Sequence, residues 1–167
     1  LGTGVLLAGA MRKEVNGVNL KSCLSAMDQS NAVAAKIFVD SGATSMTDVT
    51  GFGFLGHLWE MVRGSQFGVR LNTSAIPIFD GVTELIANGT TSSLQESNES
   101  VLQEFVIDSR VERTKLKALV DPQTSGGLLA SVPEEVAPDC LRKLKDAGYA
   151  ASIVGFVVDS AERAVEP

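Results

Sequence analysis

The sequence holds little of what zinc sites, disulfide frameworks and nucleic-acid surfaces are made from. Among its 167 residues there are one histidine and two cysteines. Cys23 and Cys140 lie far apart, and His57 alone cannot complete a zinc site with them. Neither cysteine has a neighbouring His or Lys pattern that marks a nucleophile, so both are expected to be buried free thiols. Positive charge is also short: 14 Lys and Arg face 20 Asp and Glu, for a net charge of −6. That balance argues against a nucleic-acid-binding surface. No apolar run approaches the ~20 residues that a membrane span needs, and no signal peptide is visible. These absences point to a reduced, cytoplasmic protein with no nucleic-acid or membrane partner. The chain opens at Leu1 in apolar sequence, which suggests a piece of a longer protein.

What remains is globular. Hydrophobic residues make up 44% and charged residues 20%, a balance that sustains a core. No internal repeat or Pro-rich linker divides the chain, so residues 1–167 are expected to form a single domain. The pattern mixes helix and strand signals. "GVLLAGAMR" (4–12) is a near-continuous apolar run suited to a buried strand. Asn19 can cap a helix from Leu20 to about Val39, with Leu20, Leu24, Met27, Ala34 and Phe38 on its apolar stripe. "SMTDV" reads as a short strand, residues 54–63 as a helix closed by Gly64, and "GVRLNT" (68–73) as a strand. "IPIFDGVTELIANG" reads as a turn and a helix ending at Gly89. Residues 90–100, "TTSSLQESNES", are polar and aperiodic, which predicts a loop. "VLQEFVIDSRV" is strand-like, and "LKALVD" and "LLASVP" read as strands around the turn "PQTSGG". Residues 134–147 form an amphipathic helix stopped by Gly148, and "ASIVGFVVD" is the last strand. The expected class is α+β, in α/β layers, with helices flanking a mixed sheet.

Two segments have more glycine and hydroxyl than a fold requires. The first is "TDVTGFGFLGH" (47–57), with Asp48 between two threonines and then Gly51 and Gly53. The second is "DPQTSGGLLASV" (121–132), with Thr124, Ser125, Gly126 and Gly127. Glycine allows close approach to the main chain, and consecutive N–H groups in such a turn make an anion-binding concavity. A carboxylate beside a phosphate is useful when Mg²⁺ lies between them. Asp48 therefore reads either as a metal-holding acid or as an ordinary turn or cap acid. No complete GxxxxGK[ST] or GxGxxG motif accompanies either segment. Asp121, ahead of a proline, reads as a structural turn opening. His57 is expected to be hydrogen-bonded in the helix after its turn, and Trp59 and Met61 to belong to the core. Asn31 falls on the apolar stripe of its helix, where its amide either braces a loop or reaches a ligand.

"TDVTGFGFLGH", "DPQTSGGLL" and the opening "LGTGV" together resemble the selenophosphate synthetases (selenide, water dikinases). The likeness runs over essentially the whole chain and corresponds to that family's C-terminal domain, within the aminoimidazole-ribonucleotide-synthetase-like superfamily. The resemblance implies a two-domain enzyme that uses ATP, Mg²⁺, selenide and water and yields selenophosphate, AMP and phosphate. It implies an N-terminal ATP-binding domain outside these residues, and a homodimer formed mainly through that domain. By motif match it makes Asp48 a magnesium ligand. It leaves Gly51, Gly53, Thr124, Ser125, Gly126 and Gly127 as candidate phosphate-facing positions. The family's reactive cysteine or selenocysteine and its catalytic lysine belong to the N-terminal segment, so neither Cys23 nor Cys140 takes the nucleophile role. These 167 residues alone are then expected to be inactive. One departure stands out: "TTSSLQESN" replaces the Pro-Gly-Gly loop and following Asn of many members. Another ATP-dependent synthetase or kinase of the superfamily, or a non-catalytic interaction domain, is the alternative reading.

Overall fold

The computed structural model describes all 167 residues. Three helices come first: α1 (Thr3–Met11), α2 (Gly17–Met27) and α3 (Ala32–Asp40). Then follow β1 (Ser45–Asp48), α4 (Gly53–Val62), β2 (Gly68–Asn72), α5 (Val82–Ala87) and the short α6 (Gln95–Asn98), which runs into a 3₁₀ turn at Glu99–Glu104. The rest is β3 (Val106–Ile107), α7 (Arg113–Val120), β4 (Leu128–Ser131), α8 (Ala137–Asp146), β5 (Gly155–Val158) and β6 (Arg163–Glu166).

The strands form a mixed four-stranded sheet in the order β3-β6-β2-β5 and a separate antiparallel pair, β1 with β4. β2 runs antiparallel to β5 and parallel to β6. The main core lies where α4 meets this sheet and α7. Phe54, Leu55, Leu58 and Val62 recur at helical spacing and pack with Val69, Leu71, Val165, Leu119 and Val120. A second core joins Val5 and Leu6 of α1 to Cys23, Val82, Leu85, Ile86 and Ala118. A third is smaller, with Ala34 against Cys140 and Leu144. Both cysteines are free and buried, and Trp59 and Met61 pack against the main core, as expected.

Several elements differ from the sequence reading. The apolar run is helical through Met11, not extended. The face of α1 that is buried carries Val5, Leu6 and Gly9, but the run is apolar on its other sides too, which hides the helical period. Its N-terminus carries no side-chain cap of its own. The acceptors come from Asp121 and Gln123, more than a hundred residues away. "LKALVD" is the end of helix α7, not a strand. This helix packs Leu119 and Val120 into the main core and Ala118 into the second, so its C-terminal turn is apolar on two sides.

The single helix expected over 20–39 is two helices. Asn16, not Asn19, caps the first by accepting the Asn19 N–H at 2.8 Å. The break at 28–31 is held by tertiary bonds: the Tyr149 hydroxyl donates to Ser30 O at 2.7 Å, and Asn31 bonds outside the helices. The 90–100 segment is not all loop. Thr90 and Gln95 are buried in it, and α6 closes it. In "VLQEFVIDSRV" only Val106–Ile107 is strand. The sequence reading contains no β6: its four residues are charged at both ends, at Arg163 and Glu166, and give little period-2 signal, yet Val165 is fully buried between β3 and β2.

Candidate functional site

Asp48 ends β1 opposite Leu128, the first residue of β4. Past that pair the two motif segments remain bonded as loops. The Val49 N–H donates to Gly127 O at 2.9 Å, and the Gln123 N–H donates to Thr50 O at 2.9 Å. The antiparallel pairing of β1 with β4 therefore brings "TDVTGFG" beside "DPQTSGG", though 73 residues separate their first shared partners, Thr50 and Gln123.

The opening "LGTGV" joins them through Gln123, which is buried. The Gln123 Oε1 accepts the N–H groups of Gly2 at 3.0 Å and Thr3 at 3.2 Å. The Thr3 hydroxyl accepts the Thr124 N–H at 2.8 Å. Asp121 is 0% exposed at the same junction. Its Oδ2 accepts the Val5 N–H at 3.2 Å and Gln123 Nε2 at 3.1 Å, and its Oδ1 accepts the Ser92 hydroxyl at 2.9 Å. Burial pushes its pKa up to about 6 against the pull of those bonds. The structural reading of Asp121 holds: it anchors the start of α1.

The glycines divide into two kinds. Gly53 has φ +70°, and a Cβ there would stand 2.7 Å from the carbonyl carbon of Val120. A side chain at Gly126 would collide with the Val49 carbonyl oxygen. These two are glycine because other parts of the chain approach them. Gly51 and Gly127 have open space where a Cβ would be. In the second turn Ser125 takes a left-handed φ of 47°. The N–H groups of Ser125, Gly126 and Gly127 have no acceptor within the chain. Three successive unpaired amides at an exposed turn can receive an anion. Thr124 differs, since its N–H is spent on Thr3.

Asp48 is exposed. No group of three or more His, Cys, Asp or Glu side chains stands together anywhere in the chain. Asp48 therefore belongs to no such cluster, and a Mg²⁺ ion at this acid would need other oxygen ligands to fill its shell. Clefts of about 480 Å³ and about 380 Å³ lie around α5 and include no residue of either motif. At the motif junction Thr3, Asp121 and Gln123 are buried, while Asp48, Ser125 and Gly127 are exposed.

Three side chains around the junction carry weight beyond their sequence signal. The Asn31 amide donates to Gly126 O at 2.9 Å, so of its two readings the loop-bracing one is what the structure holds. It is half-buried at the start of α3 rather than on a continuous stripe. His57 Nε2 stands 3.2 Å from the Thr50 hydroxyl, as a hydrogen-bonded histidine after the turn should. Asn98 donates to Gly51 O and Val120 O. Nothing in "QESNES" distinguishes Asn98 from its polar neighbours, so the sequence alone could not single it out.

This α+β architecture, with helices flanking a mixed sheet, is shared with a solved structure, thiamine monophosphate kinase from Aquifex aeolicus. The TM-score is 0.53 at 13% identity, over 98% of this chain and 48% of that one, and the likeness is one of fold. The chain belongs to the family described as AIR synthase related protein, C-terminal domain, which matches residues 1–166. Relatives named selenide, water dikinase are similar along nearly all of it. The Campylobacter jejuni protein is 36% identical over 162 residues, 97% of this chain and 46% of its own length. Selenide, water dikinase 2 of Peptoclostridium acidaminophilum is 35% identical over 166 residues, 99% of this chain and 48% of its own. A Clostridium botulinum relative is 31% identical over the same span. The chain thus spans about half the length of the curated relatives it matches. No helix is long and apolar enough to cross a membrane.

Proposed function

We propose that these residues are the C-terminal domain of an ATP- and Mg²⁺-dependent selenide, water dikinase. The reaction makes selenophosphate from selenide, ATP and water, with AMP and phosphate as the other products. The observation that carries this reading is the meeting of all three resembling segments at one junction, where Gln123 bonds both of the others. Relatives of that name at 31–36% identity support the same reaction. The partner completing the site is an N-terminal ATP-binding domain of the same protein, which works as a cytoplasmic homodimer.

Each group at the junction has a chemical part. Asp48 would hold Mg²⁺, which supplies charge neutralisation between phosphate oxygens. The unpaired N–H groups of Ser125, Gly126 and Gly127 would be the donors to a phosphate oxygen, and Gly51 and Gly127 leave room for it to reach the main chain. Asn31 and Gln123 hold these turns in place before any ligand arrives. Phosphoryl transfer depends mainly on such positioning and on charge stabilisation, so one carboxylate in a domain-sized cover can be decisive.

The test is made on the two-domain protein with ATP and Mg²⁺, with and without selenide. Phosphorus NMR should show AMP, phosphate and selenophosphate appearing together, and only with selenide. ATP turnover to ADP regardless of selenide would reject the assignment in favour of another kinase or synthetase of the superfamily. No turnover of any kind would favour an interaction domain.

A further inference from the structure

Asn98 closes α6, and its amide group carries two hydrogens. One goes to Gly51 O at 2.9 Å and the other to Val120 O at 3.0 Å. Gly51 O receives no backbone donor. Gly51 lies three residues past Asp48, in the turn that follows β1. Val120 ends α7 and leads directly into Asp121 and the glycine-rich turn. One side chain therefore spans the two segments that carry the proposed metal ligand and the unpaired amides. The segments also touch beside it, with Gly53 against the backbone of Val120. The bridge is itself held. Gln95, one turn earlier, is buried and donates to Lys117 O on α7 at 3.4 Å.

We infer that Asn98 is a positioning residue: its amide sets the spacing between the acid-bearing turn and the glycine-rich turn, and so the place of Asp48 relative to the amides of Ser125, Gly126 and Gly127. This rests on the function proposed above. The physical reason is local. Two carbonyl oxygens repel one another and drift apart unless a donor lies between them, and a neutral amide is the smallest side-chain group that offers both a donor pair and no charge. Asn98→Asp keeps the shape and sets a carboxylate oxygen against both carbonyls.

Two measurements test the clamp. In the 167-residue chain, amide exchange is followed at Gly53 and Gln123, whose N–H groups both bond Thr50 O. Asn98→Asp should quicken exchange there by roughly tenfold relative to the amides of the α4 core. In the two-domain protein, the Mg²⁺ concentration for half-maximal turnover should rise at least roughly fivefold. A residue that only supports folding would lower the active fraction and reduce kcat without moving that concentration. Unchanged exchange at both amides, or an unchanged Mg²⁺ requirement in an active enzyme, overturns the inference. If Asn98→Asp does not fold, Asn98→Ser is read by the same two measurements, and loss of the fold in both also overturns it. If the unaltered two-domain protein shows no selenide-dependent turnover, the proposed function fails, and the exchange measurement alone decides the clamp.

Discussion

The carboxylate of Asp121 accepts the backbone N–H of Val5 at 3.2 Å, across 116 residues of sequence. The acid is fully buried, and burial raises its pKa from 3.8 to about 6. The sign of the linkage follows. Below about pH 4 the carboxyl is protonated in both folded and unfolded chains, and its contribution is fully present. Between about pH 4 and 6 the unfolded chain releases its proton first, so stability falls as pH rises, by up to roughly 3 kcal/mol. Urea unfolding of the unaltered protein and Asp121→Asn, compared from pH 4 to 6.5, should show the variant gaining relative stability as pH rises. A flat difference across that range would sink the idea.

Asp48 gives the sharpest test of the metal-ligand role. Asn keeps its size and one carbonyl oxygen but loses the charge that holds a hard cation against phosphate. In the two-domain protein, Asp48→Asn should cut Mg²⁺-dependent turnover on the order of a hundredfold. Its melting temperature should stay close to that of the unaltered protein, because the side chain is exposed. If Asp48 were only a turn acid, Asn would serve nearly as well. A near-normal rate across a Mg²⁺ titration would therefore reject the role.

Asn31→Leu removes the only side-chain donor to the Gly126 carbonyl. The loss should cost about 1 kcal/mol of stability. It should also reduce turnover in the two-domain protein several-fold, through a looser glycine-rich turn. Full activity together with unchanged stability would show that the amide is incidental.

Leu55 is fully buried in the main core on α4, the helix that starts at the acid-bearing turn. Leu55→Ala should destabilise the protein by about 2–5 kcal/mol, the usual range for a large-to-small change in a packed core. Chemical denaturation would measure it. A loss under about 1 kcal/mol would mean that the core around α4 collapses to fill the gap.

The 167 residues by themselves should unfold cooperatively, since they carry their own cores. They should nevertheless produce no AMP from ATP and selenide, because Asp48 is a single carboxylate with no acidic or histidine cluster around it. Selenide-dependent AMP formation by this chain alone would contradict the proposed division of labour between two domains.

By itself, the sequence determined the class of fold, the α4 helix with its amphipathic face, strands within 45–49, 68–73 and 128–133, and the two glycine-rich segments. Each of those is written locally, in a period of apolar residues or in turn chemistry that neighbours can read. It also singled out Asp48 and Asn31 as residues out of place. What it could not decide was whether an apolar run is helix or strand when tertiary contacts cover more than one side, as happens in α1 and at the end of α7. Nor could it reveal that Asp121 and Gln123 anchor the first turn of α1, that β6 is an inner strand, or that Asn98 joins two distant carbonyls. Those depend on donors and acceptors brought together from opposite ends of the chain. A hydrogen bond across a hundred residues leaves no periodicity in either partner's neighbourhood, so only the packed structure could choose it.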